Sequence, residues 1–195
     1  MAVKPPENST ISVVTSGREQ IVSIPYPKPP ATVYLAGVFI LFWLGGWAVG
    51  EVSAARRLLT MPVGGGTAFL VFWLCAWTVG GLFAMLSIRR VFQRSVPEII
   101  KLEVAGLVYD PGMPPFKMPI SRSFSAWSAL FPKRTELKID RTQLKSLRLR
   151  EGDTCNRLTV DAGAQRVDLA SAATDVEREW LFKLLSDRYS PAVPQ

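Results

Sequence analysis

Two long stretches without a charged residue constrain this chain more than any other feature. The first lies between Lys28 and Glu51, and the second lies between Arg57 and Arg89. Twenty helical residues span about 30 Å, which is the thickness of the hydrocarbon core of a bilayer. The helices of soluble proteins rarely stay uncharged over such a length, so the pattern predicts two membrane-spanning helices.

We expect these helices over about residues 31–50 and 67–88, within a hairpin that occupies residues 31–94. The connecting turn, residues 51–66, holds a proline and a run of glycines, both of which interrupt helices. Glu51 would begin this turn, and two placements stay open for it: an ion pair with a nearby arginine, or the lipid headgroups. Transport is disfavoured, because no charge falls inside the predicted spans.

Basic residues flank the hairpin unevenly, and this asymmetry predicts its orientation. Six lie near the outer ends of the two spans, and two lie in the connecting turn. The first set is Arg18, Lys28, Arg89, Arg90, Arg94 and Lys101, and the second is Arg56 and Arg57. Cytoplasmic flanks carry the excess of Lys and Arg. We therefore expect a multi-pass protein of a bacterial inner membrane with both termini in the cytoplasm.

A direct repeat lies inside the two spans, because residues 42–50 and 72–80 share the pattern Phe-Trp-Leu-x-x-Trp-x-Val-Gly. In an antiparallel hairpin, equal depth predicts two indole pairs: Trp43 with Trp77, and Trp47 with Trp73. Two interpretations remain open. Either the indoles lock the hairpin together, or they form an outward aromatic surface for a lipid, a pigment or a partner helix.

Small residues recur every fourth position in both spans. Such stripes allow the backbones of two helices to approach closely in lipid. Because the two stripes differ in depth, we expect one to be free for the helix of another protein. The glycines singled out are Gly46, Gly50 and Gly80.

The remaining chain predicts short antiparallel strands and one C-terminal helix. Residues 1–30 form a Pro-rich arm with two short strands, residues 95–190 form a cytoplasmic β-rich domain, and residues 191–195 are a tail. Thr174 and Glu177 have the spacing of a capping box that opens a helix over residues 175–189. The apolar face predicted for this helix comprises Val176, Trp180, Leu181, Leu184 and Leu185. The fold class is therefore α+β.

The duplicated Phe-Trp-Leu-x-x-Trp-x-Val-Gly motif, together with the order arm, hairpin, strands and helix, resembles a group of uncharacterised bacterial inner-membrane proteins. Their soluble part is similar to bacterial pleckstrin-homology-like domains. The resemblance covers about residues 18–110 and 137–189. It implies a small antiparallel sheet capped by the C-terminal helix, and it implies no activity and no catalytic residue.

The loop over residues 111–135 is the most distinctive soluble segment, because aromatic and basic residues alternate in it. The contact candidates are Phe116, Lys117, Arg122, Phe124, Trp127 and Phe131. Three readings stay open: the aromatics pack on their own domain, the loop lies on the anionic leaflet, or it docks on another membrane protein.

The composition excludes several classes of chemistry. The chain has no histidine, which excludes His-dependent triads and His-ligated metals, and two cysteines are too few for a zinc cage. We expect no enzyme, no metal and no cofactor of its own, with contact to pigments or lipids of a neighbouring subunit left open. No small-molecule substrate is expected.

The net charge of +7 does not predict nucleic-acid binding. Residues 98–195 carry fifteen Lys and Arg against thirteen acids, so most of the excess lies around the hairpin. A basic run does occur at Lys138, Arg141, Lys145, Arg148 and Arg150. Because Glu151 and Asp153 follow it, we interpret this run as a solvated strand face in preference to a phosphate-binding strip.

Surplus contact surface and missing chemistry together favour a structural role. We expect a non-enzymatic accessory subunit that anchors in the bilayer and stabilises a larger complex of integral membrane proteins. An energy-transducing host, such as a photosynthetic reaction centre–light-harvesting assembly, would suit the deep tryptophans. The alternative is a membrane-anchored lipid-headgroup-sensing module.

Overall fold

The structure, a computed structural model, describes residues 4–17, 19–116, 131, 134–152 and 155–189. It is an α+β fold with two long apolar helices, two antiparallel sheets and a C-terminal helix. The helices are α1 (Ala31–Thr60), α2 (Gly65–Val91) and α3 (Asp175–Tyr189). The strands are β1 (Ser12–Ser16), β2 (Glu19–Ile24), β3 (Glu98–Leu102), β4 (Gly106–Asp110), β5 (Leu137–Asp140), β6 (Arg148–Arg150), β7 (Arg157–Ala162) and β8 (Gln165–Leu169).

The chain forms two compact units. The strands and α3 make up one of them, here called the sheet unit, and α1 with α2 makes up the other, here called the hairpin. The first sheet has the order β1-β2-β3-β4-β5 and the second has the order β6-β7-β8, with every neighbouring pair antiparallel. Fully buried side chains from both sheets and from α3 form one core: Val22, Ile24, Ile100, Leu102, Leu158, Val160, Leu181 and Leu185.

The hairpin is inserted between two neighbouring strands. β2 ends at Ile24 and β3 begins at Glu98, and these two residues are direct partners in the antiparallel ladder. The whole segment between them leaves the sheet and returns to the adjacent strand. The two strands predicted in the N-terminal arm therefore belong to the same sheet as β3–β5.

Both long helices are apolar and long enough to cross a membrane. They differ from the predicted spans at the turn, because α1 continues past Gly50 to Thr60 and α2 begins at Gly65. Pro62 lies in the short connection, where proline cannot continue a helix. Glu51 therefore lies inside α1, and its predicted place in the turn is wrong.

The C-terminal helix follows the predicted capping chemistry. The Thr174 backbone N–H donates to Glu177 Oε2 at 2.8 Å, and the Glu177 N–H lies 3.4 Å from the Thr174 hydroxyl oxygen. Leu181, Leu184 and Leu185 are buried as predicted. Val176 is 63% exposed, so its assignment to the apolar face is wrong. The buried position of the first turn belongs instead to Glu177, which holds the cap.

Candidate partner-binding surface on the hairpin

An apolar groove lies along the hairpin around the first copy of the repeat. Its volume is about 590 Å³. Phe42 forms part of its wall and is 83% exposed. The adjacent glycines at 45 and 46 have no side chains, so the helix backbone itself lines the groove between the aromatic residues. The lining residues are Phe39, Leu41, Phe42, Trp43, Gly45, Gly46, Trp47 and Trp77. This surface is called the aromatic groove below.

The tryptophans meet in one of the two predicted pairs. Trp43 and Trp77 lie with ring centroids 6.0 Å apart and planes tilted by 52°, which confirms the first pair. Trp73 instead stacks on Trp77 of its own helix, at 4.8 Å. The predicted pairing of Trp47 with Trp73 is wrong, because the Trp47 indole lies against Gly81.

Trp47 joins the two helices through a hydrogen bond and a close ring contact. Its indole N–H donates to the backbone carbonyl oxygen of Trp77 at 3.2 Å, which satisfies the polar edge of a side chain in an apolar setting. A side-chain carbon added at Gly81 would overlap the Trp47 ring. The absence of a side chain at Gly81 therefore makes room for this indole. The depth of Trp47 along the predicted span could not reveal this contact.

The predicted glycines are left open. No atom lies within 4 Å of where a Cβ would be at Gly46, Gly50 or Gly80, and the same holds for Gly45. Gly81, in contrast, is closed by an indole from the neighbouring helix. The hairpin thus uses Gly81, and also Gly37 against Val91 and Phe92, for its own packing, and it leaves the other four uncovered.

A carboxylate faces the other helix one turn beyond Trp47. The Thr78 hydroxyl donates to Glu51 Oε1 and also lies 2.8 Å from the Leu74 carbonyl oxygen. Glu51 Oε2 and Trp77 Nε1 are buried and have no hydrogen-bond partner among the described residues. The predicted ion pair of Glu51 with Arg56 or Arg57 is therefore wrong, and its predicted place among the lipid headgroups stays a prediction. The sequence signal was available, since Glu51 is the first acid after the charge-free stretch, but its partner was not.

The loop candidates are placed only in part. Phe116 is 7% exposed and packs with Val91, Val33 and Leu86. Phe131 is 56% exposed. The other candidates of this loop lie outside the described residues: Lys117, Arg122, Phe124 and Trp127.

The described end of the loop is held by an ion pair. Arg134 forms a bidentate contact with Asp110, with Nη2 2.6 Å from Oδ2 and Nε 2.9 Å from Oδ1. This guanidinium lowers the pKa of Asp110, and the Gly112 backbone N–H, which donates at 2.9 Å, adds to the effect. Arg134 thus serves the fold of its own unit.

A polar cluster that the sequence did not indicate lies in the sheet unit. The fully buried Glu98 carboxylate accepts hydrogen bonds from the hydroxyl of Tyr26 at 2.7 Å and of Tyr109 at 3.2 Å. It also accepts the Ser171 hydroxyl and the Ala172 N–H, the latter at 3.0 Å. Its partners are far away in sequence, so no local motif could reveal them. This set is called the Glu98 cluster below.

Burial raises the pKa of Tyr26 and Tyr109 above the usual tyrosine range, and the neighbouring Glu98 charge adds to the shift in both. Both phenols therefore stay protonated and keep donating to the carboxylate. The cluster ties the ends of β2 and β3 to the loop before α3, which is a structural role.

The described part of the chain contains no group of three or more His, Cys, Asp or Glu side chains placed to hold a metal ion. Comparison of the chain with protein-family models, with curated proteins and with solved structures finds no match in any of the three.

Proposed function

We propose that this protein is a non-enzymatic accessory subunit that anchors in a membrane through its hairpin and binds other integral membrane proteins. The observation that carries the proposal is the aromatic groove, whose glycines are open while Gly81 of the same hairpin is closed by Trp47. The contact of Trp47 with Gly81 is an example of the kind of contact that a partner side chain could make with the open glycines.

The register of the two helices supports membrane anchoring. The Glu51–Thr78 contact and the Trp47–Gly81 contact align α1 with α2 in antiparallel order. Arginines then bracket a layer that is apolar apart from the Glu51–Thr78 contact, with 56 and 57 at one end and 89 and 90 at the other. At 1.5 Å per residue this layer is roughly 25 Å thick, close to the hydrocarbon core of a bilayer.

The distribution of basic residues around the hairpin supports the location that we propose. The excess of Lys and Arg at the outer ends of the hairpin favours a bacterial inner membrane with both termini in the cytoplasm. The sheet unit, with its two antiparallel sheets and capping helix, is compatible with a pleckstrin-homology-like domain. An energy-transducing assembly, such as a photosynthetic one, is the host we favour, because its subunits or pigments would lie against the exposed tryptophans.

The occupant that we assign to the groove is a transmembrane helix of a partner protein. A lipid chain adapts to any apolar surface and gains little from exposed glycine backbone, whereas a helix approaches closely only where side chains are small. Gly45 and Gly46 provide that access, and Phe42 and Trp47 stand on either side of them in the chain. Contacts of this kind depend on shape, so they are sensitive to a single added side chain.

The test is native mass measurement of the full chain purified in mild detergent from its own membrane. We expect a stoichiometric complex for the natural protein, and dissociation for Gly46→Leu, which fills the groove. Ala48→Leu is the matched control, because Ala48 is exposed on the same helix and does not line the groove. A monomer from the natural protein, or equal behaviour of the two variants, would contradict the proposal.

The second candidate function is a lipid-headgroup-sensing module, in which the loop between Phe116 and Phe131 would contact the headgroups. Phe116 packs inside the hairpin, and Arg134 just beyond this segment is paired with Asp110. These contacts leave the described ends of the loop little capacity to bind headgroups.

A further inference from the structure

The outer face of the three-stranded sheet carries an unusual placement of arginines. Arg150 of β6 lies directly opposite Arg157 of β7 in the antiparallel register, so their Cβ atoms are about 5 Å apart. Leu158 and Val160 are buried on the core side, which leaves the alternate positions of β7 on the outer face. The charged residues of this face, all exposed, are Arg148, Arg150, Arg157, Asp161, Arg166 and Asp168.

The two aspartates are already engaged. Asp161 Oδ1 lies 2.9 Å from Arg166 Nε, and Asp168 Oδ2 lies 3.9 Å from Arg157 Nη1. Arg148 and Arg150 form no ion pair and no side-chain hydrogen bond among the described residues. Like charges that stand directly opposite in a sheet destabilise it. For the Arg150–Arg157 pair, the exposed contact of Arg157 with Asp168 at 3.9 Å offsets part of this cost.

Three arginines therefore lie on neighbouring positions of this face at the level of the backbone. Arg148 and Arg150 project from the same face of β6, about 7 Å apart along the strand, and Arg157 stands beside them on β7. Arginine side chains are long enough to converge over such distances, and their planar fork binds phosphate oxygens in pairs. A phosphate group placed there would neutralise the repulsion between the opposed arginines.

The source of the phosphate follows from the chain connections. Residues 25–30 join β2 to α1, and residues 92–97 join α2 to β3. Six residues reach at most about 20 Å, so two short links tie the sheet unit to the hairpin. A tethered surface meets headgroups at a high effective concentration, which a free anion in solution does not share.

We propose that Arg148, Arg150 and Arg157 form a binding site for the phosphate of anionic lipid headgroups in the membrane that holds the hairpin. This inference rests on the proposed membrane anchoring, and it does not depend on the partner helix. It takes Arg148 and Arg150 from the basic run, whose five side chains are exposed as a solvated face requires, and it adds Arg157 from a second strand.

The test uses the full chain in nanodiscs of phosphatidylcholine alone or of an equimolar mixture with phosphatidylglycerol. A fluorophore on Cys155, two residues before Arg157, reports proximity to headgroups through quenching by nitroxide-labelled lipid, in a Cys75→Ser background. We expect phosphatidylglycerol to increase the ratio of docked to undocked sheet unit about 30- to 150-fold, which is the range that two or three basic residues near an anionic surface provide. High salt should reverse the increase.

The double variant Arg150→Glu with Arg157→Glu should abolish the dependence on phosphatidylglycerol. The control, Lys138→Glu with Lys183→Glu, makes the same change in net charge at exposed positions outside this sheet and should retain it. Dependence that survives in the arginine variant would overturn the site. Equal quenching in both lipids would overturn it as well, provided that the chain copurifies with the nanodiscs. A chain that fails to enter nanodiscs would instead contradict the anchoring.

A second arm distinguishes the sources of phosphate. Calorimetric titration of inorganic phosphate into the chain in phosphatidylcholine nanodiscs should show no saturable binding in the millimolar range if the site depends on the tether. Saturable binding of inorganic phosphate without any response to phosphatidylglycerol would overturn the lipid assignment. Quenching that appears only when a protein partner is added would overturn it too, in favour of an acidic segment of that partner.

Discussion

The contact between Trp47 and Gly81 makes the sharpest prediction about the hairpin, because the neighbouring Gly80 is a natural control. A Cβ at position 81 would overlap the Trp47 indole, whereas a Cβ at position 80 would meet no atom within 4 Å. Alanine gains about 1 kcal/mol over glycine in a helix at either site. Overpacking costs about 1–3 kcal/mol and applies to position 81 alone.

The difference in unfolding free energy between Gly81→Ala and Gly80→Ala should therefore be about 1–3 kcal/mol, with Gly81→Ala the less stable. Unfolding is measured in neutral detergent by titration with sodium dodecyl sulfate, followed by the near-ultraviolet circular dichroism of the tryptophans. Adding Trp47→Phe to Gly81→Ala shortens the ring and should recover part of the loss, as a double-mutant cycle would show. Equal stability of the two alanine variants would refute the packing argument.

Three further predictions concern the sheet unit. Glu98→Ala should lower the unfolding free energy by about 3 kcal/mol in chemical denaturation, since buried hydroxyl and amide donors lose their acceptor; a change within error would contradict the structural role of the Glu98 cluster. Tyr189→Phe should cost about 1 kcal/mol in the same assay, because its hydroxyl lies 2.7 Å from the Glu103 carbonyl oxygen and 2.6 Å from that of Gly106. Burial favours the neutral form of Glu177, but hydrogen bonds from Ser9, Thr174 and Thr10 favour its carboxylate and lower its pKa. The contribution of Glu177 to stability is therefore fully present above its ordinary pKa, and it is lost as the pH falls through the lowered pKa of the folded state. Acid titration of thermal stability should be steeper for the natural protein than for Glu177→Gln, and parallel curves would contradict the assignment.

Local chemistry explains which parts of the fold the sequence predicts. The two charge-free stretches predict the apolar helices, because exclusion of charge over twenty residues is itself the property of a membrane span. The capping box at Thr174 predicts the start of α3 because donor and acceptor are three residues apart. Alternation and turn residues similarly predict the β3–β4 and β7–β8 hairpins, whose partners adjoin in the chain.

The corrected predictions share a different property, which is dependence on a partner from another element. Depth placed Trp47 near Trp73, but depth carries no information about rotation around the helix axis, and rotation brought Trp47 to Gly81. Glu51 was assigned to the turn because charges usually end a span. The hairpin instead provides a hydroxyl at Thr78, which lets the carboxylate stay inside the helix pair.

By itself, then, the sequence determined the elements of this protein, the apolar character of its hairpin and the absence of histidine chemistry. Only the tertiary structure decided which glycine is closed, which carboxylate is buried among tyrosines, and which arginines stand together. Arg150 and Arg157 illustrate the reason, because the strand register brings them opposite each other across a turn of the chain. Contacts of this kind join residues from different elements. They depend on strand register and side-chain packing, which no short segment of the sequence specifies by itself.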